Sequence, residues 1–201
     1  GHTIFFVGRH EPRKGLEVLI RSMRFLPDEV KLWIASDGPD TKRLQKATED
    51  DSRIEWLGRI SEEEKIERLQ KSKLFCAPSL GGESFGIVLL EAMASGALVV
   101  ASDIPGYSKL TRGGKDALLF KAGDSTALAK ALEIGLYEPE ASQVIVESAL
   151  LRVREFSMAE LAERYIQIYQ KAIAQTPKVP LAKGGQFFTQ RTLNSRNFRI
   201  R

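Results

Sequence analysis

The sequence predicts an α/β, doubly wound fold: a parallel six-stranded sheet with extra C-terminal helices. Three observations carry that prediction. Short β-rich runs recur six times, as TIFFVG (3–8), VKLWIAS (30–36), RIEWLG (53–58), KLFCAPS (73–79), ALVVAS (97–102) and ALLF (117–120). Segments with helical spacing lie between them, and this alternation argues for parallel strands joined by right-handed crossovers with helices on both faces. The runs are apolar with little alternation of their own, as expected of strands covered on both sides.

In chain order, the first run follows Gly1 and His2 directly, and a start in a strand is expected of a piece of a longer protein. Leu16, Leu19, Ile20 and Met23 then repeat at helical spacing, as do Ile66, Leu69 and Gln70 after the acidic start SEEEK. After KLFCAPS, Ser84 is placed to cap a helix running to about Ser95, which Gly96 ends. Ile87, Val88, Leu90, Ala92 and Met93 make that helix apolar nearly all round, so it is expected to be largely buried. Beyond the sixth run only helices follow: DSTALAKALEIGL (124–136), PEASQVIVESALLRVREF (139–156) and SMAELAERYIQIYQKAIAQ (157–175). The last opens with the capping-box spacing of Ser157 and Glu160. Residues 176–201 show no clear period, so the chain divides into a domain over 1–175 and a basic tail over 176–201.

The composition of the 201 residues, 43% hydrophobic and 28% charged, is that of a soluble globular domain. The net charge of +4 belongs to the tail, which has six basic residues after Gln175 and no acidic one; the rest holds 24 basic against 26 acidic residues. Nucleic acid is therefore not expected as a partner. The tail itself is open between an appended expression sequence, a solvated extension and a segment for anionic lipid or nucleic acid. Cys76, the single cysteine, excludes an intrachain disulfide and cannot make a zinc site alone; it is expected to be a packed core thiol. No apolar segment reaches the roughly 18 to 20 residues that span a bilayer, and no signal-like leader is present, so a cytoplasmic protein is expected.

In an open parallel sheet, ligands bind beyond the carboxyl ends of the strands. Two loops there stand out. In VGRHEPRKGLEVL a strand runs through Gly8, Arg9, Arg13 and Lys14 into a helix, and basic side chains beside a helix N-terminus suit a phosphate. Neither GxxxxGK[ST] nor GxGxxG is present, and a solvated turn with surface cations is the alternative. The second loop is GGESFGIVLLEAMASG (81–96), which sets Glu83 and Glu91 around an apolar run. A charged Glu91 in a buried helix needs a partner. Carboxylates repel phosphate and accept hydrogen bonds, so vicinal sugar hydroxyls fit them; an arginine partner for Glu91 is the alternative. Phosphates at one end and hydroxyls at the other describe a nucleotide sugar.

Those same residues carry a resemblance to a known family. Glu83 to Glu91 matches the E-x7-E motif, and GRHEPRKG the arginine-lysine loop, of retaining glycosyltransferases with the GT-B architecture. SDGP (36–39), WLGRIS (56–61), ASDIPG (101–106) and REFSMAELAERY continue the likeness in order over about residues 3–175. The chain looks closest to phosphatidylinositol mannosyltransferases, which use GDP-mannose. The resemblance implies one Rossmann-like half of a GT-B fold, the half that binds the nucleotide sugar, GDP- or UDP-linked, with no metal and no cofactor. It implies that Arg9 and Lys14 hold the diphosphate and stabilise its growing charge, and that Glu83 accepts bonds from the hexose. The backbone of Ser84, Phe85, Gly86 and Ile87 would lie near sugar and phosphate, Glu91 would bind the ribose, and Ile60 and Lys65 would border the base.

The resemblance also implies what is missing. Members have two doubly wound domains with the reaction between them, so an N-terminal acceptor-binding domain, with the usual catalytic histidine, is expected as this domain's partner. A phosphatidylinositol acceptor implies peripheral association of the full enzyme with the inner face of the plasma membrane. The alternatives are half of a nucleotide-sugar epimerase or hydrolase, and a non-catalytic nucleotide-sugar-binding module.

Overall fold

The computed structural model describes residues 1–157 and 166–171. The chain forms two compact units, Gly1–Leu161 and Ala162–Arg201. In the second, residues 166–171 are helical. Glu160 of the expected capping box, the boundary expected at 175 and the basic tail lie outside the described residues.

All six expected strands are present in the first unit: β1 (Thr3–Val7), β2 (Lys31–Ala35), β3 (Ile54–Gly58), β4 (Leu74–Ala77), β5 (Leu98–Ser102) and β6 (Leu118–Phe120). They pair parallel throughout, in the order β3-β2-β1-β4-β5-β6. The order reverses between β1 and β4, and the crevice at such a switch point is where open α/β sheets bind ligands. β4 stops at Ala77, short of the expected Ser79, because Pro78 has no N–H for the ladder.

Among the described residues of this unit, seven α-helices connect or follow the strands: α1 (Leu16–Ser22), α2 (Thr41–Ala47), α3 (Glu62–Lys71), α4 (Ile87–Ala94), α5 (Pro105–Leu110), α6 (Ser125–Tyr137) and α7 (Pro139–Arg154). Ile4, Phe6, Leu32, Ile34, Cys76 and Val100 face one way and pack with Leu16 and Leu19 of α1 and Leu128 and Leu132 of α6. Phe5, Phe75, Val99 and Ala101 face the other way, onto Leu69 of α3, Leu89 and Met93 of α4 and Tyr107 of α5. Cys76 is fully buried, and burial alone pushes its thiol well above the ordinary range, as befits a core residue. Among the described residues no helix is long and apolar enough to cross a membrane.

Two expectations for the 84–95 helix are corrected. Ser84 does not cap it: the chain stays irregular through Phe85, and α4 starts at Ile87 with Gly86 as N-cap. Gly86 sits at φ 85 against the Tyr107 ring, where an added Cβ would meet ring carbons at 2.9 Å. The helix is also not buried all round. Leu89, Ala92 and Met93 face the core, but Ile87 is 66% exposed, because the start of α4 stands beyond the strand ends.

Candidate functional site

A cleft of about 1310 Å³ opens at the carboxyl ends of β1, β2 and β3. Gly8, Arg9 and Lys14 from the β1 loop, Ile60 and Lys65 from the β3 side, and Glu91 on α4 all line it. Glu83 lies beside it, joined through Lys14. Thus the cleft itself holds Gly8, Arg9, Lys14, Ile60, Lys65 and Glu91, while Ser84, Phe85, Gly86 and Ile87 belong to the adjoining loop and helix start and are not among its lining.

The β1 loop is shaped by a 3-10 turn over Pro12–Lys14 that ends at Gly15, φ 68. An added Cβ on Gly15 would lie 1.9 Å from the Pro78 carbonyl oxygen, so only glycine lets this loop press against the one after β4. That contact delivers Lys14 to Glu83. Lys14 Nζ donates to Glu83 Oε1 at 2.6 Å, and Arg13 Nη1 donates to the same oxygen at 2.8 Å. Burial works against the Glu83 charge, but the Lys14 bond and the two cations outweigh it and hold the carboxyl below its ordinary range. Arg9 stays 69% exposed and makes a loose ion pair to Glu11 at 3.5 Å. Lys14, by contrast, is 22% exposed and held at 2.6 Å by Glu83.

Glu91 was expected to be a buried charge in need of a partner. It is partly exposed, and its partner is the Lys65 ammonium at 3.0 Å, where an arginine had been the alternative to sugar hydroxyls. Lys65 is the more buried of the two and also contacts Glu62 at 2.6 Å. Desolvation disfavours its charge, yet the bonds it donates to Glu62 and Glu91 hold the ammonium above its ordinary range.

Sequence reasoning assigned no role to several groups at the site. Ser36, Asp37 and Gly38 of the SDGP segment line the cleft, opposite Arg59, which donates Nε to Asp37 at 2.7 Å. Ser36 has φ 85, rare for a residue with a side chain, and follows an irregularity in the β2–β3 register, a feature common beside active sites. His10 is fully buried behind this turn. Its Nε2 faces the Ala35 carbonyl at 3.2 Å, which can only accept, so Nδ1 accepts from the Thr41 hydroxyl at 2.8 Å. Burial depresses its pKa, and it serves as a neutral strut that fixes the turn.

Residues 1–136 match the family of glycosyl transferases group 1. This chain belongs to that family. Phosphatidyl-myo-inositol mannosyltransferase of Mycobacterium leprae (strain TN) is 35% identical over 186 residues, 90% of this chain and 50% of the relative. Alpha-maltose-1-phosphate synthase of Mycolicibacterium smegmatis is 32% identical over 188 residues, 85% of this chain and 48% of the relative. The group 1 chain thus spans about half the length of the curated relatives it matches. Its fold is also that of solved GT-B glycosyltransferases. Anabaena HepE in complex with UDP-glucose superposes with a TM-score of 0.76 at 22% identity, over 85% of this chain and 49% of HepE. Sucrose-phosphate synthase from Thermosynechococcus elongatus does so with a TM-score of 0.74 at 27% identity, over 86% of this chain and 45% of the synthase. The Rossmann-like half of a GT-B fold expected from the sequence is the fold observed.

Proposed function

We propose that this domain binds a nucleotide sugar and presents it for retaining transfer of a hexose. The donor is mannose carried on GDP, and the acceptor is a lipid or glycan bound by a further domain of the whole enzyme. The observation that carries the reading is the direct Lys14–Glu83 contact, which joins a phosphate-type cation lining the cleft to a hydroxyl-accepting carboxylate at its edge. Arg9 and Lys14 take the diphosphate and stabilise the charge that grows as the glycosyl bond breaks, so no metal is called on. Glu83 accepts from the hexose. The amides of Phe85, Gly86 and Ile87 at the start of α4 lie close to sugar and phosphate. Glu91 turns from Lys65 to the ribose, while Ile60 and Lys65 border the base.

The mannosyltransferase relative at 35% identity supports mannose as the sugar. A lipid acceptor would bring the whole enzyme to the cytoplasmic face of a membrane. Titration calorimetry of the chain with GDP and UDP tests the reading. GDP is expected to bind more tightly, and Arg9→Ala/Lys14→Ala is expected to weaken it by more than about tenfold, the scale of a lost charged contact. Binding of neither nucleotide, or full binding by the double variant, would overturn it.

A further inference from the structure

Glu83 uses its two carboxylate oxygens unequally. Oε1 accepts from Lys14 at 2.6 Å, Arg13 at 2.8 Å and the Ser79 hydroxyl at 3.3 Å. None of these three bonds uses Oε2. The third of those donors is the end of a buried chain. Ser79 is 2% exposed and Tyr107 is 1% exposed, and their hydroxyls lie 3.1 Å apart. The Ser79 proton is committed to the carboxylate, which only accepts, so Tyr107 must be the donor to Ser79. Tyr107 belongs to α5, and its neighbour Gly106 touches Glu83 as well: a Cβ on Gly106 would lie 2.0 Å from the Glu83 carbonyl oxygen. The ring of Tyr107 backs Gly86 at the other end of the same loop. One turn of α5 therefore moulds the Glu83–Gly86 loop by backbone contact and holds its carboxylate by a relay of hydroxyls.

We propose that Tyr107 and Ser79 are positioning residues that pin Oε1 of Glu83 and so aim the other oxygen, Oε2, at the donor's sugar. This rests on the reading of the cleft as a nucleotide-sugar site. From the core side the relay reaches the same oxygen that Lys14 and Arg13 reach from the β1 loop, so it helps to set the rotamer of Glu83 before any ligand arrives. Its effect falls on the sugar and spares the nucleotide, because Tyr107 and Ser79 lie outside the cleft that holds Arg9 and Lys14.

Tyr107→Phe keeps the ring against Gly86 and removes only the hydroxyl, and Ser79→Ala breaks the relay one bond closer to Glu83. Each variant is titrated with GDP and with GDP-mannose, and with UDP and UDP-glucose, and its thermal unfolding midpoint is measured. The expected result is a fall of about three- to tenfold in affinity for the nucleotide sugar, the scale of one neutral hydrogen bond, with less than about a twofold change for the bare nucleotide. The double variant should lose no more than Ser79→Ala alone, since the two act in series. Unchanged nucleotide-sugar binding in both single variants overturns the relay. So does a parallel loss of sugar-bearing and bare nucleotide, which is general damage to the cleft. Failure of the wild type to bind any nucleotide overturns the reading of the cleft and the inference with it, and the bare-nucleotide arm separates that result from the others.

Discussion

Glu83 is the residue on which three side chains from two loops converge: Lys14 and Arg13 from the β1 loop, and Ser79 from its own. Its folded carboxyl lies below the ordinary value of 4.5, so ionised Glu83 stabilises the fold. The sign follows from which state holds the proton. Above 4.5 the contribution is fully present; as pH falls through the depressed folded value, protonation of Glu83 removes it. The thermal midpoint of Glu83→Gln should therefore lie below that of the wild type near neutrality, and the gap should close as the pH falls below 4.5 and through the depressed folded value. A gap that persists at the acid end would refute the assignment. At this scale the sequence was a good guide to residue types and a poor one to pairings. The cations and carboxylates were all visible as donors and acceptors, but a carboxylate has no memory of which cation it will meet until the loops are placed. Hence Glu91 took a lysine, where sugar hydroxyls or an arginine had been weighed.

At the scale of elements, the six strands were legible because each is a short, mostly apolar run, five of them closed by Gly, Pro or Ser, and buried parallel strands need little else. α6 was legible too, from Asp124, whose side chain accepts from the amides of Thr126 and Ala127. Less visible were α2, which buries only Leu44, and the short α5. The start of α4 was misplaced for a tertiary reason: Ser84 has the right chemistry for a cap, but Gly86 has the space and backbone that Tyr107 demands. Glycine is decisive at one further point, where the loops after β1 and β4 touch. Gly15→Ala adds the left-handed penalty of about 1–2 kcal/mol to a forced retreat from the Pro78 carbonyl, so it should lose more than about 2 kcal/mol of stability in urea unfolding and weaken nucleotide binding. Gly81→Ala, where an added Cβ meets nothing within 4 Å, should change stability by less than about 0.5 kcal/mol. Equal losses in the two variants would contradict this.

Over the whole described unit, the sheet is two three-stranded halves, β3-β2-β1 and β4-β5-β6, joined where β1 meets β4. The bonds from Arg13 and Lys14 to Glu83 cross that seam between residues 69 or 70 apart in sequence. Contacts at such separation are slow to form, because the entropy of closing the intervening chain comes due first. The two tryptophans, Trp33 on β2 and Trp56 on β3, both lie in the first half. In refolding after dilution from urea, tryptophan fluorescence is expected to recover no later than the capacity to bind nucleotide; binding that returned first would rule out this order. A ligand laid across the seam recognises only chains whose halves have already met, and by mass action it holds them together. On the proposed reading the cleft is a clasp as well as a grip, and contacts between residues 69 and 70 apart in sequence are inspected each time it fills.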